Sequence, residues 1–202
     1  MTGTRTHFEL RRMEALSNTI FGVAMTLLAY QVPKERFVTA DPKWVDIWHR
    51  YGSHLSALLL SFIVAGMFWY SHQRRLAYAP EGSRIEVLVN LLFLLSIILL
   101  PVTTGLYGSY IDAADVTAMY GFNLTLIATL NTILWVVAAV PRHDRRMIVV
   151  PVFSAAIFVV ASIVGLFAPQ LTKFIWPLAF ASPILSSYIE RGQSRPRADR
   201  PA

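Results

Sequence analysis

At 202 residues, the chain is 55% hydrophobic and only 15% charged, with mean hydropathy +0.50 and no cysteine. Soluble domains carry about 25% charged residues, so these figures exclude an ordinary soluble core and a disordered chain alike, and the lack of thiols excludes disulfides, thiolate metal sites and cysteine nucleophiles. A formal charge of +6 suits either nucleic acid or the cytoplasmic edge of a membrane protein, and the positions of the basic residues decide between them.

Crossing a bilayer takes about 20 mostly apolar residues in a helix. Six runs meet that requirement: Met13–Val32, Leu55–His72, Glu86–Tyr107, Val116–Val140, Met147–Phe167 and Leu171–Ile189. Pro33, Pro80 and Pro141 stand just beyond three of them, where a helix should stop. The last two runs are separated by Ala168-Pro169-Gln170 and are expected to form a tight helical hairpin. No linker divides the chain, so residues 1–189 read as one all-α membrane domain of six spans, followed by a basic, disordered tail at 190–202.

The charges sit between the runs and alternate in sign of balance. The N-terminus, the second and fourth connections and the tail hold 13 of the 18 Lys and Arg residues, among them Arg5, Arg74, Arg142 and Arg191. The opposite side carries Lys34, Arg36, Lys43, Arg50 and Lys173, offset by acids such as Asp41, Asp46, Asp112 and Asp115. By the positive-inside rule both termini are cytoplasmic, as six spans require. The basic balance is topology, and nucleic acid is not an expected partner.

The first run differs in kind, because Ala15, Ser17, Asn18, Thr19, Gly22, Ala24 and Thr26 alternate with apolar residues. Small residues permit close backbone approach, and polar groups need partners away from lipid. The helix is therefore a packing helix or a pore-lining one. At 3.6 residues per turn, Leu16, Thr19, Val23, Thr26, Leu27 and Tyr30 fall on one stripe. Asn18 lies roughly 140° from Val23 on that wheel, so it is expected to bond to a neighbouring helix while the stripe lines an axis.

Further along, Phe68-Trp69-Tyr70 and Arg74-Arg75 read as an interfacial belt with a basic anchor. His72, level with Asn18 on an antiparallel neighbour, is expected to pair with an amide, hydroxyl or carboxylate if buried. Trp44, Trp48, His49 and His54 read as an interfacial loop rather than a metal site. Thr103-Thr104-Gly105-Leu106-Tyr107-Gly108 is not a TVGYG carbonyl filter, because Leu106 intervenes and no re-entrant helix precedes it. There is no nucleophile–base set, metal cluster or phosphate loop for an enzyme, and no cofactor is expected. A proton-coupled transporter normally carries a mid-membrane carboxylate, and none is found here; a passive pore needs neither.

Three stretches together resemble one family. Arg12-x-x-x-Leu16-Ser17-Asn18 resembles the R-x-x-x-F-S-D signature of prokaryotic relatives of the lysosomal potassium channel. Trp69-x-x-His72 is similar to its W-x-x-H, and Asn90-Leu91-Leu92 with Leu99-Leu100-Pro101 to its third-helix N-L-L…L-L-P. The resemblance implies a potassium-type cation channel of the cell membrane, a homotetramer with first helices around a central pore. It implies a hydrophobic constriction of Val23, Leu27 and Tyr30, with Thr26 as a hydroxyl layer and Thr19 on the same stripe. It also implies a polar network behind the pore formed by Arg12, Ser17, Asn18, Trp69 and His72. Two departures bear on selectivity: Leu16 replaces the aromatic residue and the neutral Asn18 replaces the Asp. The alternatives are a small-solute or proton-coupled secondary transporter, which needs a polar cavity inside each subunit, and a structural scaffold.

Overall fold

A computed structural model describes residues 3–34, 41–78, 83–144 and 146–181. The regular structure among the described residues is all helical: α1 Gly3–Tyr30, α2 Trp44–Tyr78, α3 Arg84–Ser109, α4 Ala114–Ala139, α5 Arg146–Phe167 and α6 Pro169–Ile175. A short 3-10 turn, Val140–Arg142, follows α4, and a second, Trp176–Ala181, follows α6. Four of these elements are long and apolar enough to cross a membrane: α2, α3, α4 with its following turn, and α5.

Helix limits follow local chemistry. At the start of α3, Ser83 caps the Glu86 amide and Glu86 answers the Ser83 amide, a reciprocal capping box. Pro169 opens α6 at a position where its missing N–H costs nothing. His143, at φ 55°, takes the left-handed conformation that ends the turn after α4. Pro101 lies inside α3 without ending it; the helix runs on to Ser109.

The apolar core is built on α3. Phe93, Leu94, Ile97 and Leu100 meet Val64, Ala65 and Phe68 of α2, Tyr120, Leu124, Ile127 and Leu134 of α4, and Phe158 and Ala161 of α5. The most extensive packing is α4 on α5, then α3 on α4. At one crossing a Cβ on Gly121 would stand 2.7 Å from Ser162 Oγ, so glycine is what lets α4 and α5 approach there. α1 touches α2 and α3 alone among the described elements.

Three expectations are corrected. The first helix begins at Gly3, well before Met13, because the polar residues ahead of the apolar run continue its turns. Residues 44–54 are the first turns of α2 and not a loop, so that α2 has 35 residues. Amphipathic sequence holds a helix beyond the apolar limit that sets a span. The sixth run is helical only to Ile175 and then tightens at Trp176-Pro177, where proline has no N–H for an α-helical bond. Residues 182–189 of that run and the tail at 190–202 lie outside the described residues.

Candidate functional site

α1 has two faces. Met13, Ser17, Phe21, Ala24 and Leu28, at helical spacing, are buried against α2 and α3. Phe21 is the wedge: its ring lies 6.2 Å from that of His72 and 5.9 Å from that of Phe93. The stripe singled out from the sequence points the other way. Leu16, Val23, Leu27 and Tyr30 are 44%, 51%, 42% and 69% exposed, and Thr19 and Thr26 are exposed with them. Thr19 Oγ1 donates to the Ala15 carbonyl at 2.9 Å and Thr26 Oγ1 to the Val23 carbonyl at 2.8 Å. Each hydroxyl hydrogen is thus directed into the helix, and what the stripe offers outward is oxygen lone pairs.

The five residues expected behind the stripe do not form one network: Asn18 and Trp69 meet each other, while Ser17 and His72 find separate partners. Asn18 behaves as expected, bonding to a neighbouring helix: its Oδ1 accepts from Trp69 Nε1 at 3.0 Å and from Gln73 Nε2. An indole N–H only donates, so this fixes which end of the amide faces α2. Ser17, one residue earlier, faces α3 instead. Its hydroxyl donates to the Met13 carbonyl at 2.8 Å and accepts from Asn90 Nδ2 at 3.4 Å. Arg12 lies on the exposed side of α1.

His72 does not reach Asn18, nor does it meet an amide, hydroxyl or carboxylate among the described residues. It is fully buried, stacked on Phe93 at 5.5 Å, and its Nδ1 accepts from Arg75 Nη2 at 3.4 Å. Arg75, read from sequence as part of an interfacial anchor, is itself fully buried and ion-paired with Glu86 of α3. The pair was missed because both residues look like ordinary end-of-helix charges. The signal was their position on either side of a short connection: an antiparallel hairpin brings such residues face to face. A charge in that setting is tolerated only with its partner.

Further polar ties lie between α2, α3 and α4. Ser61 Oγ bonds to Thr104 Oγ1 at 2.7 Å and to Tyr120 Oη at 2.8 Å, and Asn123 Nδ2 donates to Thr103 Oγ1 at 3.2 Å. Trp135 Nε1 donates to Ser71 Oγ at 3.0 Å, and Ser71 donates to Asn131. The Thr103–Gly108 segment is ordinary α3 helix, with both threonine hydroxyls donating to carbonyls one turn back. His54 pairs with Ser109 at 3.3 Å, and no three His, Asp or Glu side chains gather into a metal site among the described residues.

Comparison with known proteins now has a geometry to meet. Residues 12–101, which hold the exposed stripe, the Asn18–Trp69 contact and the His72–Arg75–Glu86 cluster, match the family described as endosomal/lysosomal potassium channel TMEM175. Over those residues the chain is similar to that family. That family is one of ion channels, not enzymes. A Streptomyces collinus protein named as a potassium channel is 31% identical to this chain over 127 residues, 59% of each chain. A Chryseobacterium protein with the same description is 28% identical over 125 residues, 61% of this chain and 62% of that one. The matches thus span about three fifths of these relatives' lengths. The crystal structure of a lysosomal potassium-selective channel TMEM175 homolog from Chamaesiphon minutus shares the fold, with a TM-score of 0.77 at 23% identity over 88% of this chain and 98% of that one.

Proposed function

We propose that the protein is a potassium-type cation channel, assembled as a homotetramer in which four copies of α1 surround a central path. The observation that carries this reading is the exposed stripe of Leu16, Thr19, Val23, Thr26, Leu27 and Tyr30. Such a helix does not suit lipid: its outward face also holds Ala15 and Gly22, and it lacks the apolarity of the four candidate spans. A face that neither the protomer nor lipid covers is met by copies of itself. Cyclic symmetry turns each stripe residue into a ring.

The layers then have distinct roles. Val23 and Leu27 form apolar rings without ligands, which an ion passes while keeping part of its water, at a barrier set by ring diameter and dewetting. Thr26 adds hydroxyl oxygens between them, Thr19 a similar layer one side of Val23, and Tyr30 a wide aromatic mouth. Potassium surrenders water more readily than sodium, so modest selectivity arises without coordination. Asn18, Trp69, Ser17 and His72 hold the back of α1, and Arg12 lies at its basic end. The proposal includes six spans in residues 1–189, cytoplasmic termini, the tail at 190–202 on the same side, and residence in the cell membrane.

Potassium flux from liposomes containing the purified protein tests this. Flux above that of empty vesicles is expected, and Leu27→Ala is expected to raise conductance and sodium leak together. Vesicles no leakier than empty ones overturn the channel reading; an unchanged Leu27→Ala current overturns the placement of Leu27 in the path.

A further inference from the structure

We infer that Gly105 of α3 is a positioning residue for the ion path: it seats Gln31 at the far end of α1 and so sets how far the four Tyr30 side chains stand from the axis. The inference deepens the channel reading and rests on it.

The seat is a close approach that any side chain on Gly105 would fill. A Cβ there would overlap Gln31 Oε1 and would stand 3.1 Å from Gln31 Cδ and 3.2 Å from Gln31 Cβ. The Gln31 side chain, from its Cβ to its tip, therefore lies across bare backbone of α3, where only glycine leaves the room. Three residues on, a Cβ on Gly108 would stand 3.1 Å from both Cα and Cδ2 of His54 on α2. Gly105 and Gly108 are about 60° apart around the helix, so α3 admits α1 at one and α2 at the other. The Thr103–Gly108 segment forms no filter, but its two glycines are where α3 takes in both neighbours.

Local geometry gives the contact a direction. α1 ends at Tyr30, and the Gln31 amide donates to the Leu28 carbonyl at 3.2 Å. A bond of that reach eclipses side chains i and i+3, so Gln31 continues the face of Leu28, which is buried. Tyr30 lies about 160° from Leu28 on the helical wheel and is the most exposed residue of the stripe. Gln31 and Tyr30 thus stand on opposite sides of the last turn. A push on Gln31 from α3 moves Tyr30 the other way, which in the proposed tetramer is toward the axis. Nearer its basic end α1 is held by hydrogen bonds, Trp69 to Asn18 and Asn90 to Ser17; at this end it is held by shape.

The contact and its effect on conduction are tested separately. Disulfides join Cβ atoms about 3.5–4.5 Å apart, slightly beyond the 3.2 Å here, and the native chain has no cysteine. Gln31→Cys with Gly105→Cys is therefore expected to close a disulfide within one subunit under mild oxidation in membranes, read as loss of thiol labelling without a dimer band. Thiols that stay free overturn the seat, whether or not the protein conducts. In single-channel recordings Gly105→Ala is expected to lower potassium conductance. Gln31→Ala, which removes the two nearer colliding atoms, is expected to raise it alone and to restore it in the Gly105→Ala chain. Gly108→Ala is the matched control: similarly tight, but against α2, it is expected to cost stability at unchanged conductance. An unchanged Gly105→Ala conductance, or equal losses in both glycine variants, overturns the inference. Should Gly105→Ala fail to fold, Gln31→Ala decides, and an unchanged conductance there overturns it. Wild type without flux overturns the channel reading instead, and the disulfide still decides the seat.

Discussion

Arg75 and Glu86 hold opposite charges with almost no water contact. A buried pair gains little over well-packed apolar residues, but breaking it strands the survivor, at about 3–5 kcal/mol. Glu86→Leu and Arg75→Leu are each expected to cost close to that, read as a large fall in unfolding temperature in detergent. The double variant Arg75→Leu with Glu86→Leu is expected to be less destabilised than the sum of the single changes. Additive losses would mean that the two residues do not act as a pair. The sequence displayed Asn18 clearly, since its angle on the helical wheel sets it off the stripe and toward a neighbour. It concealed Arg75, because charge adjacent to an apolar run has the same appearance whether solvated or enclosed. His72 was visible as a polar residue needing a partner, yet which partner depended on that concealed charge.

Among the elements, α4 and α5 are joined most closely where Gly121 faces Ser162. Ser162 Oγ is held there by the Phe158 carbonyl at 2.7 Å and Thr125 Oγ1 at 2.9 Å. Gly121→Ala is therefore expected to overpack the crossing and lose about 1–3 kcal/mol. Ser162→Ala in the same chain is expected to recover part of that loss in a double-mutant cycle; no recovery would put the strain elsewhere. Five apolar runs were legible as α1 to α5 because hydropathy and helical period are local properties. The extra turns of α1 and α2 were not, since polar helix outside an apolar run carries no hydropathy signal. The shortening of α6 had a visible cause in Pro177, overridden by the length of the apolar run around it.

For the molecule as a whole, α1 leans on α2 and α3 alone among the described elements, while α4 and α5 pack tightly on each other and, through α4, on α3. The absence of native cysteine gives a direct test of assembly. Val23→Cys in membranes is expected to form intersubunit disulfides under mild oxidation, read as a dimer band that reductant removes. Val159 is exposed on α5, a helix that α1 does not touch among the described elements, and Val159→Cys is expected to stay monomeric under the same treatment. Equal cross-linking at both positions would overturn the central location of α1. The helical architecture could be read from sequence by hydropathy; a homotetramer entered only as what the resemblance implies, because a surface between identical chains would leave its mark only as residues that suit neither core nor lipid.

The length of α2 has a consequence for the shape of the protein at the bilayer. Thirty-five residues make a rod of about 52 Å, against a hydrocarbon slab of about 30 Å. Even a lean of about 40°, at the steep limit for membrane helices, takes up only about 40 Å of it. The remainder stands proud among the headgroups, where the broad, exposed indoles of Trp44 and Trp48 would act as floats that set the depth at which the protein rides.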